Sequence, residues 1–74
     1  MGDKYPTLTP REIIRKLEAI GFTYRSQKGS HLKYVKKGNP ARVVIIPNHD
    51  TVAKGTLRSI LEQANLDLDE FLKK

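Results

Sequence analysis

Residues 22–46, FTYRSQKGSHLKYVKKGNPARVVII, decide the fold, because they contain three β-rich segments separated by two turn sequences. Aromatic and β-branched residues predict strands over residues 22–26, 30–36 and 42–46. Gln27-Lys28-Gly29 and Gly38-Asn39-Pro40 have typical turn compositions. Connections this short favour antiparallel neighbours, so the sequence predicts a three-stranded antiparallel meander.

Alternation along each strand assigns side chains to the two faces of this sheet. We expect one face to pack against helices through Phe22, Tyr24, Leu32, Tyr34, Val43 and Ile45. The opposite, open face then carries Arg25, His31, Lys33, Arg42, Val44 and Ile46. A register error of one residue would exchange the two sets.

Helices are predicted before and after the three strands along the chain. Thr9-Pro10-Arg11-Glu12 has the pattern of a capping box with proline in the first helical position, and Gly21 supplies a left-handed stop. A second helix should begin near Ala53 or Lys54 and end at Asn65, and Asp67 should cap a short last helix. Apolar residues recur at helical spacing at Ile13, Ile14, Leu17 and Ile20, and again at Leu57, Ile60, Leu61 and Ala64.

The predicted fold class is therefore α+β, in the order α-β-β-β-α with a short extra C-terminal helix. The helices should pack on one face of the three-stranded antiparallel sheet. We expect residues 1–8 to form a flexible N-terminal lead and residues 9–74 to form a single domain.

Composition excludes several classes of chemistry. The 74 residues contain no cysteine, which removes disulfides, thiolate catalysis and the usual zinc ligands, and two histidines alone are a poor metal set. We therefore expect no metal and no cofactor. No apolar run approaches the ~18 residues of a membrane span, and the N-terminus lacks a signal-peptide pattern, so a cytoplasmic, non-membrane protein is expected.

The net charge of +6 is concentrated in one segment. Residues 19–49 contain six lysines and arginines and no aspartate or glutamate, whereas the rest of the chain is balanced. Such a localised field favours phosphate binding, although a solvated lysine-rich surface would have the same composition.

The turn Lys28-Gly29-Ser30 delivers His31 into this acid-free segment. RNA carries its own nucleophile, the 2′-hydroxyl, so its cleavage needs a base, an acid and positive charge on the phosphate. Histidine suits proton transfer because its unperturbed pKa is about 6.5. His31 is the candidate catalytic residue, with candidate RNA-binding residues Arg25, Lys28, Gly29, Ser30, Lys33 and Arg42. Equally, His31 could be an ordinary exposed strand residue.

His49 follows Pro47-Asn48 at the exit of the third strand and is a candidate second acid or base, or a loop residue that caps the next segment. A hydrolase using Ser30 or Ser59 with His49 and Asp50 is a further alternative. The chain lacks a nucleophile elbow and is too short for that fold, which argues against this alternative.

A series of motifs resembles the HicA-type toxins, small mRNA interferases of bacterial and archaeal toxin–antitoxin pairs. The matching motifs, in chain order, are Gly21-Phe22, Gly29-Ser30-His31, Pro47-Asn48-His49, Gly55-Thr56-Leu57-Arg58-Ser59-Ile60-Leu61 and Asp69-Glu70-Phe71-Leu72. The resemblance covers residues from about Thr9 to Leu72. It implies a fold similar to double-stranded-RNA-binding domains, ribosome-independent cleavage of mRNA and a catalytic role for His31. It also implies a HicB-type antitoxin that blocks the site.

The residues themselves leave other functions open. The same basic face would serve a non-catalytic RNA-binding module, or an adaptor that binds an acidic protein. Val44 and Ile46, if placed on the open face, would mark a contact with a protein partner, unless a loop or the last helix covers them. We expect the free chain to be a monomer.

Overall fold

The computed structural model describes residues 4–74, and in it helix α1 (Pro10–Ile20) is capped by Thr9. The predicted capping box is present: the Thr9 hydroxyl accepts from the Glu12 backbone N–H at 3.2 Å, and the Glu12 carboxylate accepts from the Thr9 N–H at 2.9 Å. The bond from the Thr9 backbone N–H to this carboxylate is the main cause that lowers the pKa of the Glu12 carboxyl. The Thr9 hydroxyl, which donates to the same carboxylate oxygen at 3.1 Å, lowers it further. Gly21 ends the helix in the left-handed conformation, with a φ of 118° that a side chain would disfavour.

Three antiparallel strands follow, as predicted, in the spatial order β1-β2-β3. Their bounds are Thr23–Lys28 for β1, His31–Lys36 for β2 and Arg42–Pro47 for β3. Phe22 lies just before β1 rather than inside it, and its side chain is buried in the core.

Helices α2 (Lys54–Ala64) and α3 (Leu68–Leu72) complete the predicted α+β order. Asn65 adopts the left-handed conformation at the end of α2, and the Leu66 N–H then donates to the Leu61 carbonyl at 2.9 Å. The apolar positions predicted for α2 are all buried. Helix α2 packs against β3, and α1 contacts α3.

The register of β3 corrects one prediction. Leu32 pairs with Ile46 and Tyr34 pairs with Val44, and all four side chains are buried. Val44 and Ile46 therefore face the helices, and their predicted place on the open face is wrong. Four consecutive apolar residues carry no period-two signal, so only pairing with β2 fixes which of them point inward.

The same register moves the other residues of β3. Val43 pairs with Val35 and Ile45 pairs with Lys33, so Val43 and Ile45 lie on the open face rather than against the helices. Arg42 pairs with Lys36, on the side of the helices, so the open-face position predicted for Arg42 is also wrong.

Tyr24 keeps its predicted face but is not buried. It pairs with Tyr34, and the two rings meet edge to face with centroids 5.9 Å apart. Tyr24 remains 57% exposed because β1 is an edge strand and α2 covers β3 at the other edge. Burial raises the pKa of the Tyr34 phenol, and the charges of Glu18 and Tyr24 raise it further.

The core is one cluster formed by α1, the sheet, α2 and α3. Leu8 joins the fold before α1, since it forms an isolated antiparallel bridge with Val52 and accepts the Val52 N–H at 2.8 Å. Tyr5 and Leu8 also pack against the core. Residues 1–3 of the predicted lead lie outside the described residues. Within residues 4–74, every helix is too short or too polar to cross a bilayer.

Candidate functional site

The turn between β1 and β2 places His31 at the start of β2. Gly29 has a positive φ of 60°, whereas the φ of Ser30 is not positive. This is the pattern of a two-residue type II′ hairpin turn between β1 and β2. The Gln27 side-chain amide donates to the Gly29 carbonyl at 2.8 Å and holds the turn. A tight turn presents His31 at the start of a strand, as predicted, but the turn residues are Gly29 and Ser30. Gln27 and Lys28, predicted to lie in the turn, belong to β1 and pair with Leu32 and His31.

His31 lies on the open face in a row with Lys28 and Pro47, its Cα partners on β1 and β3. The next row contains Ser26, Lys33 and Ile45. The His31 side chain is exposed, and within residues 4–74 it makes no hydrogen bond that would restrict it. The imidazole is therefore accessible to a ligand on the open face.

A cavity of about 510 Å³ lies on one side of His31, and we call it the turn cavity. Besides His31 and Ile45 it is lined by Ser26, Lys28, Gly29 and Lys33. Two of these residues are cationic and none is acidic, so the turn cavity suits an anion.

A second cavity, of about 400 Å³, lies between the sheet and α2, and we call it the α2 cavity. Its sheet side is lined by His31, Ile45, Pro47 and His49. The structure thus brings both histidines of the chain to one cavity. His31 also lines the turn cavity, so the two cavities meet at its side chain.

The helix side of the α2 cavity contains Thr56, Ser59 and Gln63. The sequence analysis considered Ser59 only as a nucleophile of the hydrolase alternative and gave Gln63 no function. The three residues recur at helical spacing beside the apolar stripe of α2. The sequence signal for these residues is a polar stripe at positions i, i+3 and i+7 of α2. The stripe forms a cavity wall because α2 packs against β3.

The remaining candidate RNA-binding residues divide. Arg25 is exposed at an irregularity of β1, where the pairing passes from Tyr24 to Ser26 and leaves it without a Cα partner. Arg42 is removed from the cavities, because its partner Lys36 lies five positions beyond His31 along β2. At ~3.3 Å per residue this separation is about 16 Å, on the opposite face of the sheet.

The serine-hydrolase arrangement is not assembled. The Ser59 hydroxyl donates to the Gly55 carbonyl of its own helix at 3.2 Å. Within the described part of the chain, His49 has no hydrogen bond or ion pair with Asp50, Ser30 or Ser59. Over the same residues, no group of three or more histidines, cysteines and carboxylates is placed to hold a metal ion.

Comparison with protein families identifies a match over most of the chain. The model described as the HicA toxin of bacterial toxin–antitoxin systems matches residues 10–66. This range runs from the first residue of α1 to just beyond α2 and contains every residue that lines the two cavities. Comparison with curated proteins returned no match.

Proposed function

The chain belongs to the HicA family, the toxins of bacterial toxin–antitoxin pairs, and on this basis we propose that it is an endoribonuclease that cleaves mRNA without a metal ion. His31 is its acid–base residue. The observation that carries this proposal is the position of His31, exposed between a cationic cavity and a second cavity that contains the other histidine.

The reaction follows from the chemistry of RNA. The ribose 2′-hydroxyl loses its proton to a base and attacks the adjacent phosphorus, so that a 2′-oxygen–phosphorus bond forms. The bond from phosphorus to the 5′-oxygen breaks, and an acid protonates the leaving oxygen. The products are a 2′,3′-cyclic phosphate and a 5′-hydroxyl. His31 carries out one of these proton transfers, and each such transfer contributes typically ~10²–10⁴-fold.

The cations of the turn cavity supply the positive charge. Lys28 and Lys33 line it beside His31, where they can donate to the non-bridging oxygens of the phosphate. Gly29 lets the phosphate approach the backbone, Ser30 adds a hydroxyl, and Arg25 extends the cationic surface along β1. His49, in the α2 cavity, is the candidate for the second proton transfer.

The test is cleavage of an unpaired RNA in the presence of EDTA. The wild-type chain should cut it, and His31→Ala should lose at least about 10²-fold of the rate. The variant should still bind RNA because both lysines remain, and this retained binding is the control for folding. Full cleavage by His31→Ala would remove the catalytic role of His31. RNA binding without cleavage by the wild-type chain would instead favour the non-catalytic RNA-binding module.

The antitoxin of this toxin is proposed to be of the HicB type and to cover the open face of a monomeric toxin. Val43 supports a protein contact, since it is 44% exposed and its neighbours across the strands include Val35. Val43 takes the role that the sequence analysis gave to Val44 and Ile46, whose side chains are buried against the helices.

Co-purification with the product of the neighbouring reading frame tests this contact. Val43→Asp should weaken the complex, because it places a carboxylate in an apolar contact, whereas Val43→Thr should have a smaller effect. Size-exclusion chromatography of the free chain should give a monomer. A complex that survives Val43→Asp unchanged would place the antitoxin elsewhere.

A further inference from the structure

The side chain of Gln63 is held in one orientation at the α2 cavity. Its carbonyl oxygen accepts the backbone N–H of Ile45 at 3.2 Å, at the outer edge of β3. Because the oxygen is the only acceptor of a side-chain amide, this bond distinguishes the two ends of the Gln63 amide. The NH₂ group of Gln63 has no partner within residues 4–74, and Gln63 lines the cavity. A hydrogen-bond donor is thus fixed at the cavity wall before any ligand binds.

The rest of the wall combines apolar and polar groups. Pro47, Val52 and Ile60 supply apolar surface. Thr56 adds a hydroxyl without a partner among the described residues, and the Ser59 hydroxyl, already donating to Gly55, presents only acceptor lone pairs. Small-molecule sites typically have this composition, a mostly apolar cleft with a few oriented polar groups, at volumes of roughly 300–1,000 Å³.

The position of the cavity relative to His31 indicates what it binds. A phosphate at His31 would have Lys28 and Lys33 on one side and the α2 cavity on the other. A nucleotide attached to that phosphate can therefore extend into the α2 cavity. Proteins that read single-stranded RNA hydrogen-bond the edges of unstacked bases and stack them on flat side chains, histidine among them. His49 is the flat side chain that lines this cavity.

We propose that the α2 cavity binds one unpaired RNA base beside the cleaved phosphate, and that the Gln63 NH₂ group donates to an acceptor atom on the edge of that base. The proposal rests on the proposed RNA cleavage and adds a specificity-determining residue to it. Bases that present a donor at this position would leave the Gln63 NH₂ group and their own N–H unpaired, and this disfavours them.

Cleavage of a randomised unpaired RNA, with the cut ends sequenced, tests the base preference. The wild-type chain should prefer particular bases at one position next to the cut. Gln63→Glu keeps an oxygen for the Ile45 N–H but replaces the NH₂ donor with an acceptor. It should reduce the preference about 3- to 10-fold, the scale of one hydrogen bond, or change it to another base.

Matched variants separate the effect of losing the Gln63 NH₂ donor from the effect of the negative charge that Gln63→Glu adds. The double variant E62Q/Q63E has the net charge of the wild type and should show the altered preference of Gln63→Glu. Glu62→Gln alone changes an exposed residue paired with Arg58 and should keep the wild-type preference. An unchanged preference in both Gln63→Glu and Gln63→Ala would overturn the proposal.

A binding measurement on the wild-type chain distinguishes failure of this inference from failure of the proposed function. A short RNA with a single 2′-deoxy position cannot be cut there, because it lacks the nucleophile. Titration of such RNAs, each with a different base at that position, should shift the Gln63 side-chain NH₂ resonances in a base-dependent way. Base-dependent shifts without cleavage of normal RNA would overturn the nuclease and support the base site. Cleavage with no shift at Gln63 for any base would overturn the base site and leave the nuclease.

Discussion

The backbone N–H of Asn48 donates to the carbonyl oxygen of Ser30 at 2.6 Å. This bond ties the exit of β3 to the turn that precedes β2. Each bonded residue is followed directly by a histidine, His31 after Ser30 and His49 after Asn48. The two imidazoles line one cavity because the two backbones that carry them are joined.

We expect His49→Ala to lower the cleavage rate by about 10²-fold or more and to remove one limb of the pH–rate profile, if His49 makes the second proton transfer. His49→Phe separates this role from base stacking, since phenylalanine stacks but transfers no proton. Single-turnover cleavage over a pH series measures the rate and the pH–rate profile of each variant. Recovery of the rate in His49→Phe would contradict proton transfer by His49.

Lys33→Ala should weaken RNA binding and Arg42→Ala should not, because the register places these cations on opposite faces of the sheet. If Lys33 contacts one phosphate, its loss should reduce the slope of log K against log salt by about 0.7 for a single strand. Fluorescence anisotropy with the uncleavable 2′-deoxy RNA, at several salt concentrations, gives the slope. Equal losses in the two variants would contradict the assignment of binding to the open face.

Gly29→Ala and Gly55→Ala should change stability in opposite directions. Nothing lies within 4 Å of a Cβ at either position, so backbone conformation decides the outcome. The φ of 60° at Gly29 should make alanine destabilising by about 1–2 kcal/mol, whereas at Gly55, within α2, alanine should stabilise by about 0.5–1 kcal/mol. Urea unfolding provides the comparison. A loss of stability of similar size at both positions would contradict the assignment of the effect to backbone conformation.

Tyr34→Phe should reduce the loss of stability at high pH. Burial raises the pKa of the Tyr34 phenol above its usual value of 10.0 in the folded chain. The unfolded chain ionises first, so this contribution to stability is present below about pH 10 and is lost as pH rises through the folded pKa. Urea unfolding at pH 8 and pH 11 should show a smaller decrease for Tyr34→Phe than for the wild type. Tyr24→Phe, at the exposed partner ring, is the control: it removes only the smallest of the three causes that raise the Tyr34 pKa, so most of the wild-type decrease should remain.

Local rules predicted the parts of the fold that depend on a few neighbouring residues. The Thr9 capping box, the left-handed stops at Gly21 and Asn65, and the turn before His31 all depend on chemistry within about four positions. The facing of β3 could not be predicted in the same way. Its side chains are all apolar or at the strand end, and the choice between the two phases is made by pairing with β2.

The residues of the candidate site also differ in how far the sequence could predict them. His31, Lys28 and Lys33 could be found from an acid-free segment around a turn, because they are neighbours in sequence as well as in space. Gln63 could not, since only the packing of α2 on β3 brings its amide to Ile45, 18 positions earlier, and to the cavity. The polar stripe of α2 is the only trace of this cavity wall in the sequence, and it does not show which other element completes the wall.

Strand β1 has all six residues exposed, and its outer edge is unpaired within the described chain. Such an edge can template strand addition by another molecule, and bulges and charged side chains are the usual protection against it. The irregularity at Arg25 provides both. This protection bears on the solubility of the protein. Deletion of residue 25 would make the pairing of β1 with β2 regular and would remove a positive charge from the exposed edge. The shortened chain should then aggregate by intermolecular β-pairing, and light scattering of concentrated samples would detect the aggregates.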